Sequence, residues 1–167
     1  MSRLRPFIAC LLVTVAAFAA AEPLETPKGP VILTVEGAIS NTNSGDTAQF
    51  DRAMLERLPQ RLIRTHTPWT DGANDFEGPL GRALLEMVGA KGETLEVTAL
   101  NDYSATVPVI DFFAHDVILA MKMNGEYMRV RDKGPLFIVY PFDSDRELTS
   151  DVIHYRSVWQ IKHILVK

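Results

Sequence analysis

The sequence predicts an α+β domain with a mixed β-sheet core and a few short helices. Residues 95–99 alternate apolar and polar side chains with a period of two, which is typical of a half-buried strand. Residues 117–123 are a nearly continuous apolar run of strand length, and the Asn124-Gly125 pair after them is a strong β-hairpin signal. Residues 80–88 instead repeat apolar side chains at helical spacing. These observations together favour strands with a minority of helix.

The first predicted elements are a strand, a loop and a short helix. Residues 31–35 are predicted to form the strand. Residues 37–46 are polar and rich in Asn, Ser and Gly, which is typical of a loop. A short helix is predicted within residues 47–58, and Pro59 ends it because proline cannot continue a helix.

A further extended run and a second helix are predicted next. Residues 61–67 form the extended run, and residues 71–74 are a predicted turn. In the helix that follows, Pro79 suits the first turn, because its missing N–H would be unpaired there in any case. Residues 80–88 carry the apolar face of this helix, and Gly89 is a natural carboxy-terminal cap.

The rest of the chain is predicted to be mainly β-structure. Asn101-Asp102 is turn chemistry, and the extended run after it ends at Pro108, which suits an edge or exit position. Gly134-Pro135 precedes a third β-rich run at residues 136–142. The charged residues 143–151 are a predicted solvated loop, and residues 152–167 are predicted to form a last strand.

The amino terminus has the pattern of a secretory signal peptide. Two arginines precede an apolar run at residues 7–18, and the Ala-Ala-Ala of residues 19–21 fits a cleavage site. We therefore expect residues 1–21 to be removed, leaving residues 22–167 as a single periplasmic or secreted domain without a transmembrane segment. An uncleaved membrane anchor is the alternative, although the apolar run is short for a bilayer.

Charge and cysteine content exclude several classes of function. The formal charge of the chain is −4, and loss of Arg3 and Arg5 with the signal peptide lowers it to −6. Nucleic-acid binding depends on clustered Lys and Arg, so we expect no nucleic-acid partner. Cleavage also removes Cys10, the single cysteine of the sequence. The mature protein would then have no thiol for a disulfide, a nucleophile or a metal ligand.

Several segments, in their order and spacing, carry a family resemblance. They are Gly78 to Gly89, Asn101-Asp102-Tyr103-Ser104, Met123-Asn124-Gly125-Glu126, Lys133-Gly134-Pro135-Leu136 and Tyr155-Arg156-Ser157-Val158-Trp159. In this arrangement the sequence resembles the molybdopterin-binding domain of the sulfite oxidase family. The resemblance covers roughly the whole predicted domain and implies the same fold.

The resemblance also implies where a metal ligand should lie. Enzymes of that family hold molybdenum through molybdopterin and a cysteine thiolate four residues before a tryptophan. The matching segment here runs from Arg64 to Trp69, and Thr65 stands in the place of the cysteine. A neutral hydroxyl cannot supply the soft thiolate that this metal site uses. We therefore expect no cofactor, and molybdopterin with a different ligation is the alternative.

A candidate ligand pocket is predicted from the segment Arg64 to Trp69, the segment Tyr155 to Trp159 and the turn at residue 103. Its predicted residues are Thr65, His66, Trp69, Tyr103, Tyr155 and Arg156. Arg156 corresponds to the first cofactor-contacting basic residue of the family, whereas Trp159 replaces the second. Arg156 could still clamp a phosphate or carboxylate through its planar guanidinium; the alternative is an ordinary surface arginine.

The other polar residues give weaker indications. No two of the four histidines are spaced at i, i+2 or i, i+4, so there is no local metal motif, although folding could bring His154 near His66. Asp102 is a predicted turn residue. Asp111 is a predicted helix N-cap.

Three functions remain open from the sequence. The first is a non-catalytic module that binds a small anionic ligand on a sulfite-oxidase-like scaffold. The second is a molybdenum-dependent oxidoreductase whose metal is held without cysteine. The third is an interaction partner of a membrane sensor or another periplasmic protein, contacted through the acidic residues 143–151. We expect the first, because the scaffold is retained while the metal ligand is missing.

Overall fold

The computed structural model describes residues 24–167, so the predicted signal peptide lies outside the described residues. The strands are β1 (Val31–Gly37), β2 (Ala48–Asp51), β3 (Gln60–Thr67), β4 (Thr70–Pro79), β5 (Thr94–Ala99), β6 (Ser104–Pro108), β7 (Ile118–Ala120), β8 (Lys122–Met123), β9 (Glu126–Tyr127), β10 (Phe137–Val139) and β11 (Ile161–Val166). The helices are α1 (Arg52–Glu56), α2 (Gly81–Met87), α3 (Val109–Ala114) and α4 (Asp151–Arg156). Short 3₁₀ helices lie at Val130–Asp132, Phe142–Ser144 and Arg146–Thr149.

The largest sheet has five strands in the order β2-β1-β11-β5-β6. Strands β1 and β11 pair in parallel, whereas the other neighbours pair antiparallel. The sheet is therefore mixed, and the predicted α+β class is confirmed. Leu95, Val97 and Ala99 of β5 are buried while the side chains between them are partly exposed, as the alternation in the sequence predicts.

The second sheet contains the predicted hairpin. Its order is β3-β4-β8-β9, and β7 pairs separately with β10. Asn124 and Gly125 connect β8 to β9 with positive φ values of 53° and 82°. A type I′ hairpin turn requires positive φ at both central residues, and these two values meet that requirement. The apolar run at residues 117–123 is thus divided between two strands of different sheets.

One predicted turn is wrong. Residues 71–74 belong to β4, and the reversal occurs two residues earlier, at Pro68-Trp69. The hydroxyls of Thr67 and Thr70 are hydrogen-bonded across it at 2.8 Å. Gly72, with φ of 64°, lies where the β3–β4 register shifts, so its turn-type conformation is absorbed as a bulge within the strand.

Both early helices are shorter than predicted. Residues 48–51 form β2, and α1 begins only after Asp51, whose Oδ1 accepts a hydrogen bond from the Met54 N–H at 2.9 Å. Pro79 is the last residue of β4 and not part of α2. Strand structure persists there because the pairing of β3 with β4 continues to Gln60 and Pro79. Gly78 lies against the Leu119 backbone, where a Cβ would approach the carbonyl oxygen to 2.1 Å. Gly89, with φ of 61°, follows α2 as predicted.

The predicted last strand is only half correct. Residues 151–156 form α4, and the strand begins at Ile161. The helix packs through Ile153, and the Ser157 hydroxyl donates to the Ile153 carbonyl at 2.8 Å. The preceding charged segment folds into two 3₁₀ helices that remain mostly exposed except for Phe142 and Leu148.

The core lies where the sheets and α2 and α3 meet. Its largest fully buried side chains include Phe50, Phe76, Phe112, Phe137 and Tyr140. Within residues 24–167, each helix is too short or too polar to cross a bilayer.

Candidate ligand-binding site

A cavity of about 450 Å³ lies between the β3–β4 turn, the β5–β6 turn and α4 with the segment that follows it. This volume is within the range of small-molecule sites, roughly 300–1,000 Å³. Its larger lining side chains are Trp69, Tyr103, Asp151, His154, Tyr155 and Trp159. We refer to it as the aromatic cavity.

Three short elements supply these side chains. Trp69 lies in the two-residue turn between β3 and β4. Tyr103 follows Asp102, which has the positive φ of 65° expected of a turn residue, and the Tyr103 N–H donates to the Asn101 side chain at 3.2 Å. Helix α4 presents Asp151, His154 and Tyr155, which share one face because they are spaced i, i+3, i+4.

The two tryptophans form the inner wall. The Trp69 ring centroid is 5.2 Å from that of Trp159 and 5.6 Å from that of His154, both in edge-to-face geometry. Beneath them the buried Phe137 ring is 5.8 Å from Trp69 and 6.1 Å from Trp159. The positions of the two tryptophan rings are therefore fixed by packing against the core and do not depend on a ligand in the cavity.

The two tyrosines form the outer wall. Their ring centroids are 5.9 Å apart; the Tyr103 hydroxyl donates to the Tyr155 carbonyl and the Tyr155 hydroxyl donates to the Ser104 carbonyl, each at 3.3 Å. Burial, with a smaller contribution from Tyr155, raises the pKa of the Tyr103 phenol. Tyr103 is therefore a neutral group at physiological pH.

Thr65, in the place that the family gives to its metal-ligating cysteine, is not on the cavity wall. It is fully buried; its Oγ1 accepts a hydrogen bond from the Asp143 N–H at 3.0 Å and donates to the His66 carbonyl at 3.3 Å. The Asp143 Oδ2 in turn accepts from the His66 N–H at 3.0 Å and lies 2.9 Å from His66 Nδ1. We call these contacts the Asp143 clamp.

The clamp also perturbs the Asp143 carboxyl. Burial raises its pKa, but the hydrogen bonds from the His66 side chain and backbone outweigh that effect and hold the pKa below the usual value. Asp143 is therefore ionised at neutral pH, and the 3₁₀ helix Phe142–Ser144 stays tied to β3 over residue 65.

The donors at this position do not fit a molybdenum ion. Residues 24–167 contain no cysteine, and the hydrogen of the Thr65 hydroxyl is already donated to a backbone carbonyl. No group of three or more His, Cys, Asp or Glu side chains in the described part of the chain could hold a metal ion. His154 packs against Trp69 and His66 pairs with Asp143, so the structure gives them different partners.

Arg156 is likewise committed elsewhere. Its Nη1 lies 2.9 Å from Asp111 Oδ2, which also accepts the hydroxyl of Tyr140 at 2.8 Å. Burial, and then the hydrogen bond to Asp111, raise the pKa of Tyr140. Asp111 is therefore not the predicted N-cap: Pro108 occupies that position, and Asp111 is a buried partner of Arg156. This ion pair ties α4 to α3, and it fixes the helix that carries half of the cavity wall.

Of the six predicted pocket residues, Trp69, Tyr103 and Tyr155 line the aromatic cavity. Thr65 and His66 lie in the Asp143 clamp, and Arg156 lies in the buried ion pair. Among the larger lining side chains, sequence reasoning missed Asp151, His154 and Trp159. The i, i+3, i+4 spacing of the polar and aromatic side chains from Asp151 to Tyr155 was the available signal, and it was hidden by the prediction of a strand there.

Burial of position 65 can be tested with a thiol. In a Cys10→Ser background, Thr65→Cys is expected to react with a thiol-specific disulfide reagent at least about a hundredfold more slowly than an exposed cysteine, because reaction requires local opening. Thr42→Cys, at an exposed position, is the matched control. Release of the coloured leaving group gives both rates. Equal rates for the two variants would contradict the closed clamp.

A comparison with solved structures identifies the fold. The chain is similar to the sulfane dehydrogenase SoxCD from Paracoccus pantotrophus, with a TM-score of 0.62 and 18% sequence identity. The likeness covers 86% of this chain but only 40% of that chain, so this chain spans less than half of the length of that protein. At this identity the likeness defines the class of fold: a sulfite-oxidase-like α+β domain.

The family follows from the sequence model that matches. The model described as the oxidoreductase molybdopterin binding domain matches residues 45–143, and the chain belongs to that family. The resemblance noted from the segment order is thereby confirmed. No curated protein matches the sequence. Asp151, His154, Tyr155 and Trp159 all lie after the matched residues, so much of the aromatic cavity comes from a part of the chain that the family model does not cover.

Proposed function

We propose that this chain is a non-catalytic member of its family that binds a small ligand in the aromatic cavity. The observation that carries the proposal is the state of Thr65, which stands in the ligand position and is buried with its hydroxyl hydrogen-bonded to backbone. The predicted signal peptide supports a periplasmic or extracellular place of action. In this account the scaffold was kept for binding, and the redox chemistry was not.

Retention of the cavity supports binding as the remaining role. Tyr103 and Tyr155 keep 42% and 54% of their surface exposed at its outer wall. Clustered exposed aromatic side chains on a soluble domain commonly mark a binding site, because folding alone gives no reason to leave them uncovered. The tyrosines nevertheless hold a defined geometry through their hydroxyl contacts.

Membership of the family supports the second candidate, a molybdenum-dependent oxidoreductase with non-cysteine ligation. Its requirement is a donor set that the described residues do not provide near residue 65. Elemental and pterin analysis of protein isolated from its native compartment distinguishes the two candidates. Stoichiometric molybdenum would contradict the non-catalytic proposal.

Intrinsic fluorescence provides the direct test of ligand binding. The sequence has two tryptophans, Trp69 and Trp159, and both line the aromatic cavity. A ligand that enters is therefore expected to change the tryptophan emission in a saturable way. A panel of small anions, cations and neutral solutes should be titrated, and a flat response to all of them would contradict the proposal.

Two variants test whether a change in tryptophan emission comes from binding in the aromatic cavity. Tyr155→Ala is expected to weaken binding by about three- to tenfold, because an aromatic contact contributes about 0.5–1.5 kcal/mol. Tyr127→Ala removes an exposed tyrosine outside the aromatic cavity and is the matched control. Equal weakening by both variants would place the ligand elsewhere.

A further inference from the structure

The carboxylate among the described side chains that line the aromatic cavity has no lining lysine or arginine to balance it. Among the described residues no lysine or arginine lines it, and Asp151 is the carboxylate on its wall. Two nearby cations are paired with carboxylates: Arg156 with Asp111 at 2.9 Å, and Lys162 with Asp102 at 2.6 Å. A third, Lys133, lies over the Trp159 ring and is not itself a lining residue. A small anion entering the cavity would therefore meet a carboxylate on the wall, with no guanidinium or ammonium group among the lining side chains that the structure describes.

The aromatic rings favour the opposite charge. Trp69, Trp159, Tyr103 and Tyr155 each present π-electrons, whose negative face attracts a cation within about 6 Å of the ring centroid. The chain already uses one of these rings in this way, because the Lys133 Nζ lies 5.9 Å from the Trp159 centroid. Aromatic rings together with a carboxylate are the side-chain types that bind alkylated ammonium groups.

We propose that the aromatic cavity binds an organic cation whose head is a fully alkylated ammonium group, with Asp151 as its counter-ion. This inference rests on the proposed function and names the chemical class of its ligand. It replaces the small anion expected from the sequence, because the arginine that would have held the anion is committed to Asp111.

The polar groups of the cavity favour an alkylated ammonium over a primary one. A primary ammonium brings three N–H donors that need acceptors when it leaves water. The Asn101 side-chain oxygen already accepts the Tyr103 N–H, so Asp151 is the charged acceptor that the lining side chains offer to these donors. An alkylated head has no such donors, so its contacts with the rings cost no unpaired hydrogen bond.

The test compares a cation with an uncharged molecule of the same shape. Choline and its carbon isostere 3,3-dimethylbutan-1-ol should be titrated against the full chain, with tryptophan emission and calorimetry as readouts. Choline is expected to bind at least about tenfold more tightly, the discrimination that cation–π contacts give in a partly desolvated site. Because the isostere shares the methyl groups, this ratio reports the charge alone.

The outcomes separate this inference from the proposed function. Equal affinity for choline and its isostere overturns the cation inference and leaves ligand binding intact. Saturable binding of an anion such as sulfite or phosphate without binding of choline has the same consequence. No response to any of these compounds contradicts both.

Two variants check the named contacts. Asp151→Asn is expected to weaken choline binding about two- to fivefold, which is the usual effect of losing an exposed ion pair. The affinity for the isostere is expected to stay unchanged. Asp46→Asn, an exposed carboxylate that does not line the cavity, is the control. Lys133→Gln is expected to strengthen choline binding, because it removes an ammonium that competes for Trp159. Weakening of both ligands by Asp151→Asn would contradict the counter-ion role.

Discussion

Replacing Asp111 by alanine is expected to destabilise the protein by about 3 kcal/mol. The carboxylate is 8% exposed and accepts from both Arg156 and Tyr140, so its loss leaves a guanidinium and a fully buried phenol without a partner. Breaking a buried ion pair from one side costs about 3–5 kcal/mol. The lower value applies here because the Arg156 side chain keeps 24% of its surface in contact with water.

Urea unfolding followed by circular dichroism measures this loss. Glu25→Ala is the matched control, because Glu25 also pairs with a cation, Arg57, at 2.8 Å, but its side chain is 65% exposed. The control is expected to cost less than about 1 kcal/mol, as surface pairs do. Similar losses for the two variants would show that the Asp111 contacts are not the anchor of α4. A stable Asp111→Ala protein with weakened ligand binding would place the role of the pair in positioning alone.

Replacing Phe137 by alanine is expected to cost about 3–5 kcal/mol, the usual loss for truncating a fully buried phenylalanine. Its ring contacts Phe76, 5.9 Å away between centroids, and both tryptophans of the aromatic cavity. The variant is therefore also expected to shift the tryptophan emission of the folded protein, because the floor beneath both indole rings is removed.

The two effects of Phe137→Ala need separate measurements. Denaturant unfolding gives the stability, and the emission maximum at zero denaturant reports the cavity floor. Phe113→Ala is the control, because that ring is 46% exposed on α3 and lies outside the aromatic cavity. A loss below about 1 kcal/mol for Phe137→Ala would mean that neighbouring side chains collapse into the space.

The strands were predictable because burial on one face leaves a period in the sequence. Leu95, Val97 and Ala99 show it directly, and Asn124-Gly125 marks the hairpin by residue type alone. Helix α4 was missed, because its six residues give a single i, i+3, i+4 set and are too few to form a stable helix alone. Its position depends on Arg156 reaching Asp111, a residue 45 positions earlier in the sequence.

The candidate site was predicted only in part. Trp69, Tyr103 and Tyr155 were found through the family resemblance, and they line one cavity. The burial of Thr65 could not be inferred, because the backbone group that closes over it belongs to Asp143, 78 residues later. Asp111 was predicted to be a helix N-cap because a sequence shows the residue type and does not show whether the side chain is buried.

The position of β11 between β1 and β5 bears on biosynthesis. Until Val166 has left the ribosome, the five-stranded sheet can exist only as two separate antiparallel pairs, β1 with β2 and β5 with β6. Such two-stranded units are at most marginally stable in water. We therefore expect the five-stranded sheet to form only after β11 has been synthesised.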